Sequence, residues 1–294
     1  MYNQIASNKW KSYAIFLLFF LVIAVLAWLV IYAFGGVGGA FSIGAAGAIA
    51  IILALANYFL CDKIALAQAR ARPATREEYP HYVNSVEGLA IAAGIPAPKT
   101  YVIESDAINA FATGRNPKNA AIAVTTGALK KLNRVELEGV IAHEISHIKN
   151  YDIRLVTIAI VMVGFVAILS DLFMRGLWWG AGRRDEDRGN AGTVIIIVGM
   201  AFAILAPIAV QLLHLALSRK REYLADATGA MLTRYPEGLA SALEKIGRDT
   251  KQLESASEAT APMYIANPFK NISLSKLLST HPPLEDRIAR LRKM

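Results

Sequence analysis

Two long apolar runs without a charged residue, Tyr13–Phe34 and Val37–Cys61, dominate the first part of the chain. An α-helix needs about 20 such residues to cross the roughly 30 Å hydrocarbon core of a bilayer. A short glycine-rich turn separates the runs, and Lys and Arg lie before the first and after the second but not between them. The pattern predicts a membrane hairpin over residues 1–61 with both ends on the cytoplasmic side.

Two further apolar runs, Leu155–Ser170 and Ala191–Leu217, lie in the second half of the chain. The second is long enough to cross a bilayer, whereas the first is at the short end. The polar stretch Gly180–Asn190 between them carries three arginines, which is unusual for a loop that leaves the cytoplasm. The segments therefore either span or lie partly over the protein. We expect a spanning second hairpin over residues 155–217, and hence about four transmembrane helices.

The polar remainder, residues 62–154 and 218–294, is predicted to form two parts of one mainly α-helical domain with a small β-sheet. A long loop is expected over Thr250–Lys276. The predicted helices are Tyr82–Ala93, Gly127–Leu132, Val135–Asn150, Ser218–Met231, Pro236–Arg248 and Leu284–Leu291, and the predicted strands are Tyr101–Ile103, Ala110–Ala112 and Ala121–Thr125.

Composition supports a membrane protein. The chain is 55% hydrophobic with a mean hydropathy of +0.39, which is too apolar for a water-soluble protein of 294 residues. The net charge is +8, but the basic residues are scattered near apolar segments instead of forming one patch. We therefore expect a lipid bilayer and no nucleic acid as a partner. The single cysteine, Cys61, excludes an internal disulfide, and oligomeric state is not indicated.

The candidate chemistry begins with an H-E-x-x-H sequence, His143-Glu144-Ile145-Ser146-His147, inside a predicted helix. Residues four apart share a helix face, so the two imidazoles can bind one cation, and neutral imidazole suits zinc. Glu144 lies beside them and can take a proton from water. The alternative is a surface helix that carries two ordinary histidines.

A third zinc ligand is predicted from a second acidic pair. Glu222 and Asp226 are four residues apart on a predicted helix, so they also share a face. Glu222 can bind the metal, while Asp226 can accept a hydrogen bond from a ligating histidine and fix its tautomer. His147 lies just before the third apolar run and Glu222 just after the fourth. A membrane hairpin returns the chain to the side that it left, which lets the two halves of the site meet.

Together these motifs identify a resemblance that covers nearly the whole chain, including its four apolar runs. The chain resembles the HtpX-type membrane zinc proteases, which are relatives of the type I CAAX prenyl protease. The matching motifs are His143-Glu144-x-x-His147, Ser218-Arg219-x-Arg221-Glu222-Tyr223-x-x-Asp226, Asn109-Ala110-Phe111-Ala112, Met263-Tyr264-Ile265-x-Asn267-Pro268 and Ser279-Thr280-His281-Pro282-Pro283.

The resemblance implies a gluzincin-like catalytic domain, mainly helical with a small sheet, which holds one Zn²⁺ per chain. It also implies an active site at the cytoplasmic face of a prokaryotic membrane. The implied activity is endoproteolysis of membrane proteins or misfolded polypeptides, in quality control under stress. The CAAX protease has more membrane segments, so its own activity is not carried over.

Roles for individual residues follow from the chemistry and from the family motif. His143, His147 and Glu222 are expected to bind zinc, with Glu144 as the general base. His281 is a candidate donor to the developing oxyanion, and Arg287 a candidate partner of Asp226; a purely structural role in the terminal helix is the alternative for both. The stretch Asn109, Ala110 and Phe111 is a candidate edge strand that binds an extended substrate, although Phe111 equally fits an ordinary buried strand.

Three classes of function fit a membrane protein with these motifs. The first is a zinc endopeptidase that acts on membrane-protein or unfolded polypeptide substrates. The second is a catalytically silent scaffold or adaptor, which an intact Glu144 argues against because a binding-only site needs no base. The third is a transporter or channel, which needs several ionisable residues within its spans. The four apolar runs are nearly free of such residues, and Asp171 lies at the end of one, which argues against this class.

Overall fold

The computed structural model describes residues 2–35, 40–159, 219–257, 260–269 and 282–294. A further helix begins at residue 152 and reaches residue 159, where that described stretch ends. The described part is mainly helical with one small sheet, as the sequence predicts. The helices are α1 (Tyr2–Gly35), α2 (Ala40–Gln68), α3 (Pro80–Ala93), α4 (Thr126–Lys131), α5 (Arg134–Lys149), α6 (Arg219–Thr233), α7 (Pro236–Arg248) and α8 (Leu284–Leu291), with a 3₁₀ turn at Ala261–Met263.

Helices α1 and α2 pack against each other. Each contains a stretch that is long and apolar enough to cross a membrane, Asn8–Val25 and Ile43–Gln68. Both helices are longer than the predicted spans because their polar ends continue the helix. The glycine-rich turn at residues 36–39 and nearly all of the predicted second hairpin lie outside the described residues. Of that second hairpin, only residues 155–159 are described, and they are helical.

The sheet contains the three predicted strands and one more, in the order β1-β2-β4-β3. The added strand is short and ends in proline, so alternation of apolar residues cannot reveal it. Strands β2 and β4 are parallel, and the other pairs are antiparallel. Gly114 lies within β3, at a bulge, with φ = +142°. The strands are β1 (Arg72–Pro73), β2 (Lys99–Ile103), β3 (Ala110–Asn116) and β4 (Asn119–Thr125).

Both faces of the sheet are buried, which is why its strands are rich in apolar residues. In β4, Ile122 and Val124 point into a core shared with α3, α5 and α7. The alternate residues Ala121 and Ala123 point into a second core shared with α1 and α2. The sheet therefore lies between the helices of the polar domain and the apolar hairpin.

Helix α5 runs through the middle of the domain and packs against α3, α6, α7 and β3. It begins with a capping box in which Asn133 and Glu136 exchange side-chain-to-backbone hydrogen bonds. Gly139 lets α7 approach closely, because a Cβ there would lie 2.6 Å from the backbone nitrogen of Leu239. The helix ends at Lys149, and Tyr151 follows with φ = +61°. This central position buries His143 and leaves His147 partly buried, with 15% of its side chain exposed.

Candidate metal centre

Three side chains from two helices converge at the centre of the domain. The Nε2 atoms of His143 and His147 are 3.1 Å apart. The carboxylate of Glu222, on α6, lies 3.8 Å from the first and 3.5 Å from the second. Ligand atoms placed about 2.0–2.2 Å from a tetrahedral zinc are separated by roughly 3.3 Å. The two nitrogens and the carboxylate therefore fit a single zinc ion, and all three ligand atoms lie within 4.8 Å of one another.

Helix α6 reaches the histidines because a glycine faces them. A Cβ at Gly229 would lie 3.0 Å from the backbone nitrogen of His143. Contacts of that length are tighter than ordinary van der Waals packing, so a larger residue would push the two helices apart. The close approach brings Glu222 and Asp226, two and one turns earlier on α6, to the ligating face of α5.

Each histidine has a carboxylate behind it. Nδ1 of His143 lies 2.9 Å from Oδ1 of Asp226, and Nδ1 of His147 lies 3.1 Å from Oδ2 of Asp152. A hydrogen bond from Nδ1 fixes the ring tautomer and leaves the lone pair of Nε2 for the metal. Asp226 is one of the predicted site residues. Asp152 is not, although a carboxylate five residues beyond the second histidine is a signal that the sequence does contain.

A buried guanidinium supports the first of these carboxylates. Arg287, on α8, is completely buried and binds Asp226 through Nη2 at 2.7 Å and Nε at 2.9 Å. It also donates to the carbonyl oxygen of Ile265 at 3.1 Å and lies 3.7 Å from Glu222. The structure thus places Arg287 against Asp226, which is the pairing that the sequence analysis considered.

Proton affinities differ sharply between the two histidines. Burial lowers the pKa of His143 to about 4, and the positive charge of Arg287 acts in the same direction. Burial also disfavours the charged form of His147, but the hydrogen bond to Asp152 and the charge of Glu222 outweigh it and raise the pKa to about 9. For Asp226, burial is opposed by the charge of Arg287, which lowers the pKa to about 2. Asp226 is therefore ionised at neutral pH.

Glu144 is the remaining titratable group of the H-E-x-x-H sequence. It is 2% exposed, and burial raises its pKa to about 7, with a further contribution from the charge of Glu222. The backbone N–H of Ala112 forms a hydrogen bond with the carboxylate and acts in the opposite direction. Glu144 and Ala112 line the same cleft as the three ligating side chains.

Strand β3 forms one wall of that cleft and is an edge strand in the described sheet. Asn109, Ala110 and Phe111 are buried. A segment of the same chain, residues 264–266, bonds to the side of this stretch that faces away from β4. The backbone N–H of Ile265 donates to the carbonyl of Ala110 at 2.9 Å, and the side-chain amide of Asn109 donates to the carbonyl of Ala266 at 3.1 Å. His281, the other predicted site residue, lies outside the described residues.

Comparisons with known proteins agree with this geometry. The model of peptidase family M48 matches residues 79–294. Proteins named protease HtpX homolog from Dictyoglomus turgidum and Dictyoglomus thermophilum are 51% and 50% identical to this chain over its full length, and the chain covers 94% of each. A protein of the same name from Streptococcus uberis is 41% identical, with full coverage of both chains. The chain belongs to the HtpX family of M48 peptidases.

The M48 fold extends to a more distant solved structure. The crystal structure of Ste24p from S. mikatae matches with a TM-score of 0.51 at 20% identity, over 99% of this chain and 67% of that protein. At that identity the likeness concerns the fold alone. The family match and the HtpX relatives confirm the predicted family resemblance. This HtpX-family chain is a zinc metallopeptidase whose metal site consists of His143, His147 and Glu222.

Proposed function

We propose that this peptidase cleaves membrane-protein or unfolded polypeptide substrates at the cytoplasmic face of a prokaryotic membrane, as part of membrane-protein quality control under stress. The observation that supports this most is the position of the cleft. Met263 and Tyr264, which line it, belong to the same hydrophobic core as Phe19 of α1 and Leu66 of α2. The cleft therefore adjoins the core that the domain shares with the two apolar helices, and a bilayer that these helices cross would lie near it.

Glu144 is the proposed general base. Zinc, when bound to His143, His147 and Glu222, supplies a Lewis acid that polarises the scissile carbonyl and makes water more acidic. The carboxylate of Glu144 takes the proton from the attacking water and passes it to the leaving amine. Burial raises the pKa of Glu144, which makes its carboxylate a stronger base than that of an exposed glutamate. The backbone N–H of Ala112 holds the carboxylate in place for both transfers.

Substrate is proposed to bind in an extended form along β3, by addition of a strand. Pairing with Asn109, Ala110 and Phe111 requires the segment of residues 264–266 to move aside, because that segment occupies their outward-facing groups. Ala112, next along the strand, lines the cleft beside Glu144 and gives the substrate a second point of attachment. The role of His281 as a donor to the oxyanion remains a prediction.

The catalytic proposal is tested with Glu144→Gln in the full-length, zinc-loaded protein in detergent. We expect cleavage of casein and of a membrane-protein substrate to fall by about 10²–10⁴-fold, the usual contribution of general acid–base catalysis, with bound zinc unchanged. Glu138→Gln is the matched control, since Glu138 lies on the same helix and pairs with Arg134 away from the cleft. Equal cleavage by Glu144→Gln and Glu138→Gln would remove Glu144 from the mechanism.

The proposed orientation is tested separately, with reporters fused to the C-terminus. Helix α8 carries Arg287 into the metal site and ends three residues before the last residue, so the C-terminus reports the side on which the site lies. We expect fluorescence from a fused green fluorescent protein and no activity from fused alkaline phosphatase, which folds only outside the cytoplasm. The reverse pattern would place the site on the opposite face.

A further inference from the structure

The first apolar helix makes a polar contact with the support of a zinc ligand. Asn8, in α1, donates through Nδ2 to Oδ1 of Asp152 at 2.7 Å. The other carboxylate oxygen of Asp152 lies 3.1 Å from Nδ1 of His147. A chain of two hydrogen bonds thus leads from the membrane helix to the metal ligand. Asn8 is 144 positions away from Asp152 in the sequence, whereas His147 and Asp152 are five apart.

The same amide also fixes the backbone around Asp152. Nδ2 of Asn8 donates a second hydrogen bond to the carbonyl of Asn150 at 3.0 Å. Between the two acceptors lies Tyr151, whose φ of +61° is unfavourable for a residue with a large side chain. Asn8 therefore bonds the residues on both sides of a strained position and holds the turn in which Asp152 faces His147.

Burial makes this contact specific. Asn8 and Asp152 are each 4% exposed, and Asn150 is 1% exposed. Buried polar groups lose much more when a partner is removed than exposed groups do, because water does not replace it. Both amide protons of Asn8 are used, one for each acceptor, so no other residue type of similar size supplies the same pair of donors.

We propose that Asn8 is a positioning residue for zinc binding, which acts on His147 through Asp152. The M48 match begins at residue 79, so Asn8 lies outside the part of the chain that the family model covers. The metal site is therefore completed by a residue of the N-terminal hairpin. Seating of α1 on the domain and retention of zinc are coupled. This inference concerns metal binding and stands apart from the identity of the substrate.

The test is the rate at which the full-length protein in detergent releases zinc to a chromogenic chelator. Removing an outer hydrogen-bond partner of a zinc ligand typically weakens metal binding by 10–100-fold. We expect Asn8→Ala to accelerate release by about 10-fold, toward the lower end of that range because Asn8 is one bond further out. Ser12→Ala is the matched control: Ser12 is buried one turn along α1, and its hydroxyl donates to the carbonyl of Asn8. The control should release zinc at the wild-type rate.

A double-mutant cycle separates positioning from a general effect on folding. If Asn8 acts through Asp152, then Asn8→Ala should change zinc release no further in a chain that already carries Asp152→Ala. The visible spectrum of the cobalt-substituted protein should shift in Asn8→Ala and stay unchanged in Ser12→Ala. Asn8→Leu, which removes the same donors with a side chain of similar size and so leaves no large cavity, is a second variant that should also release zinc faster than Ser12→Ala. Wild-type release by both Asn8 variants, or strictly additive effects in the cycle, would overturn the proposal.

Discussion

The two zinc histidines are supported in different ways. His143 is backed by Asp226, which is itself gripped by the fully buried guanidinium of Arg287. His147 is backed by Asp152, whose nearest donor is the neutral amide of Asn8 in the first apolar helix. The first support is an ion pair of 2.7 Å within the polar domain. The second is a hydrogen bond of 2.7 Å from the hairpin, with the guanidinium of Arg221 on α6 further away, at 3.7 Å from Asp152. The support of His143 is thus made within the polar domain, while the support of His147 includes a residue of the first apolar helix.

The largest expected effect comes from removing the cation on the His143 side. Arg287→Met would leave the carboxylate of Asp226 buried without its charge partner, which typically costs about 3–5 kcal/mol of folding free energy. We expect a loss of that size in denaturant unfolding of the zinc-free protein. Arg290→Met, on the exposed face of the same helix, is the control and should cost less than about 1 kcal/mol, although Arg290 stacks on Tyr223. If Arg287→Met lowers the free energy of unfolding by less than about 1 kcal/mol, the ion pair does not distinguish the support of His143 from that of His147.

The next largest effect is expected from replacing the carboxylates behind the two histidines, Asp226 and Asp152. Asp226→Asn and Asp152→Asn should each weaken zinc binding by about 10–100-fold, measured by competition with a chelator, since each removes the charged acceptor behind a ligand. Their effects on the zinc-free protein should differ. Asp226→Asn deprives the fully buried Arg287 of a partner at 2.7 Å, whereas Asp152→Asn weakens a longer contact of 3.7 Å to Arg221. Asp226→Asn should therefore lower the free energy of unfolding by more. Equal losses of stability would mean that the two supports are equivalent.

The smallest effect concerns the spacing of α5 and α6 on the His143 side. Gly229→Ala places a methyl group 3.0 Å from the backbone of His143, and we expect a loss of about 1 kcal/mol of stability together with weaker zinc binding. Gly88→Ala is the control, because a Cβ at that helical position meets nothing within 4 Å and Ala is the better helix former. If Gly229→Ala binds zinc as the wild type does, the close approach of α6 is not what sets the position of Glu222.

Much of this site could be predicted because its residues follow helical spacing. The two histidines of H-E-x-x-H are four residues apart, and so are Glu222 and Asp226. In the structure these two pairs face each other at the metal site. Helices α7 and α8 coincide with the predicted ranges Pro236–Arg248 and Leu284–Leu291, since both have a strong apolar stripe and a proline near the start. Local pattern determines such elements.

The contacts that were not predicted are those made between distant segments. Asn8 lies in a helix whose apolar character indicates only that it enters a membrane, so nothing local relates it to Asp152. The pairing of Tyr264 with Phe111 joins a loop to a strand, and loops without periodicity give no register. Strand β1 was missed because two residues are too few to show alternation. Tertiary packing decides these features, and a single sequence does not display it.

The segment of residues 264–266 has a consequence for which polypeptides this peptidase can capture. Under the proposed strand addition, any chain that pairs with Ala110 must displace Ile265, which belongs to the same molecule and needs no encounter in solution to bind again. A folded protein must also expose a strand before it can compete. A segment that is already extended does not have to unfold first. Under the proposed mode of substrate binding, this segment sets a threshold that extended chains pass more easily than folded proteins do.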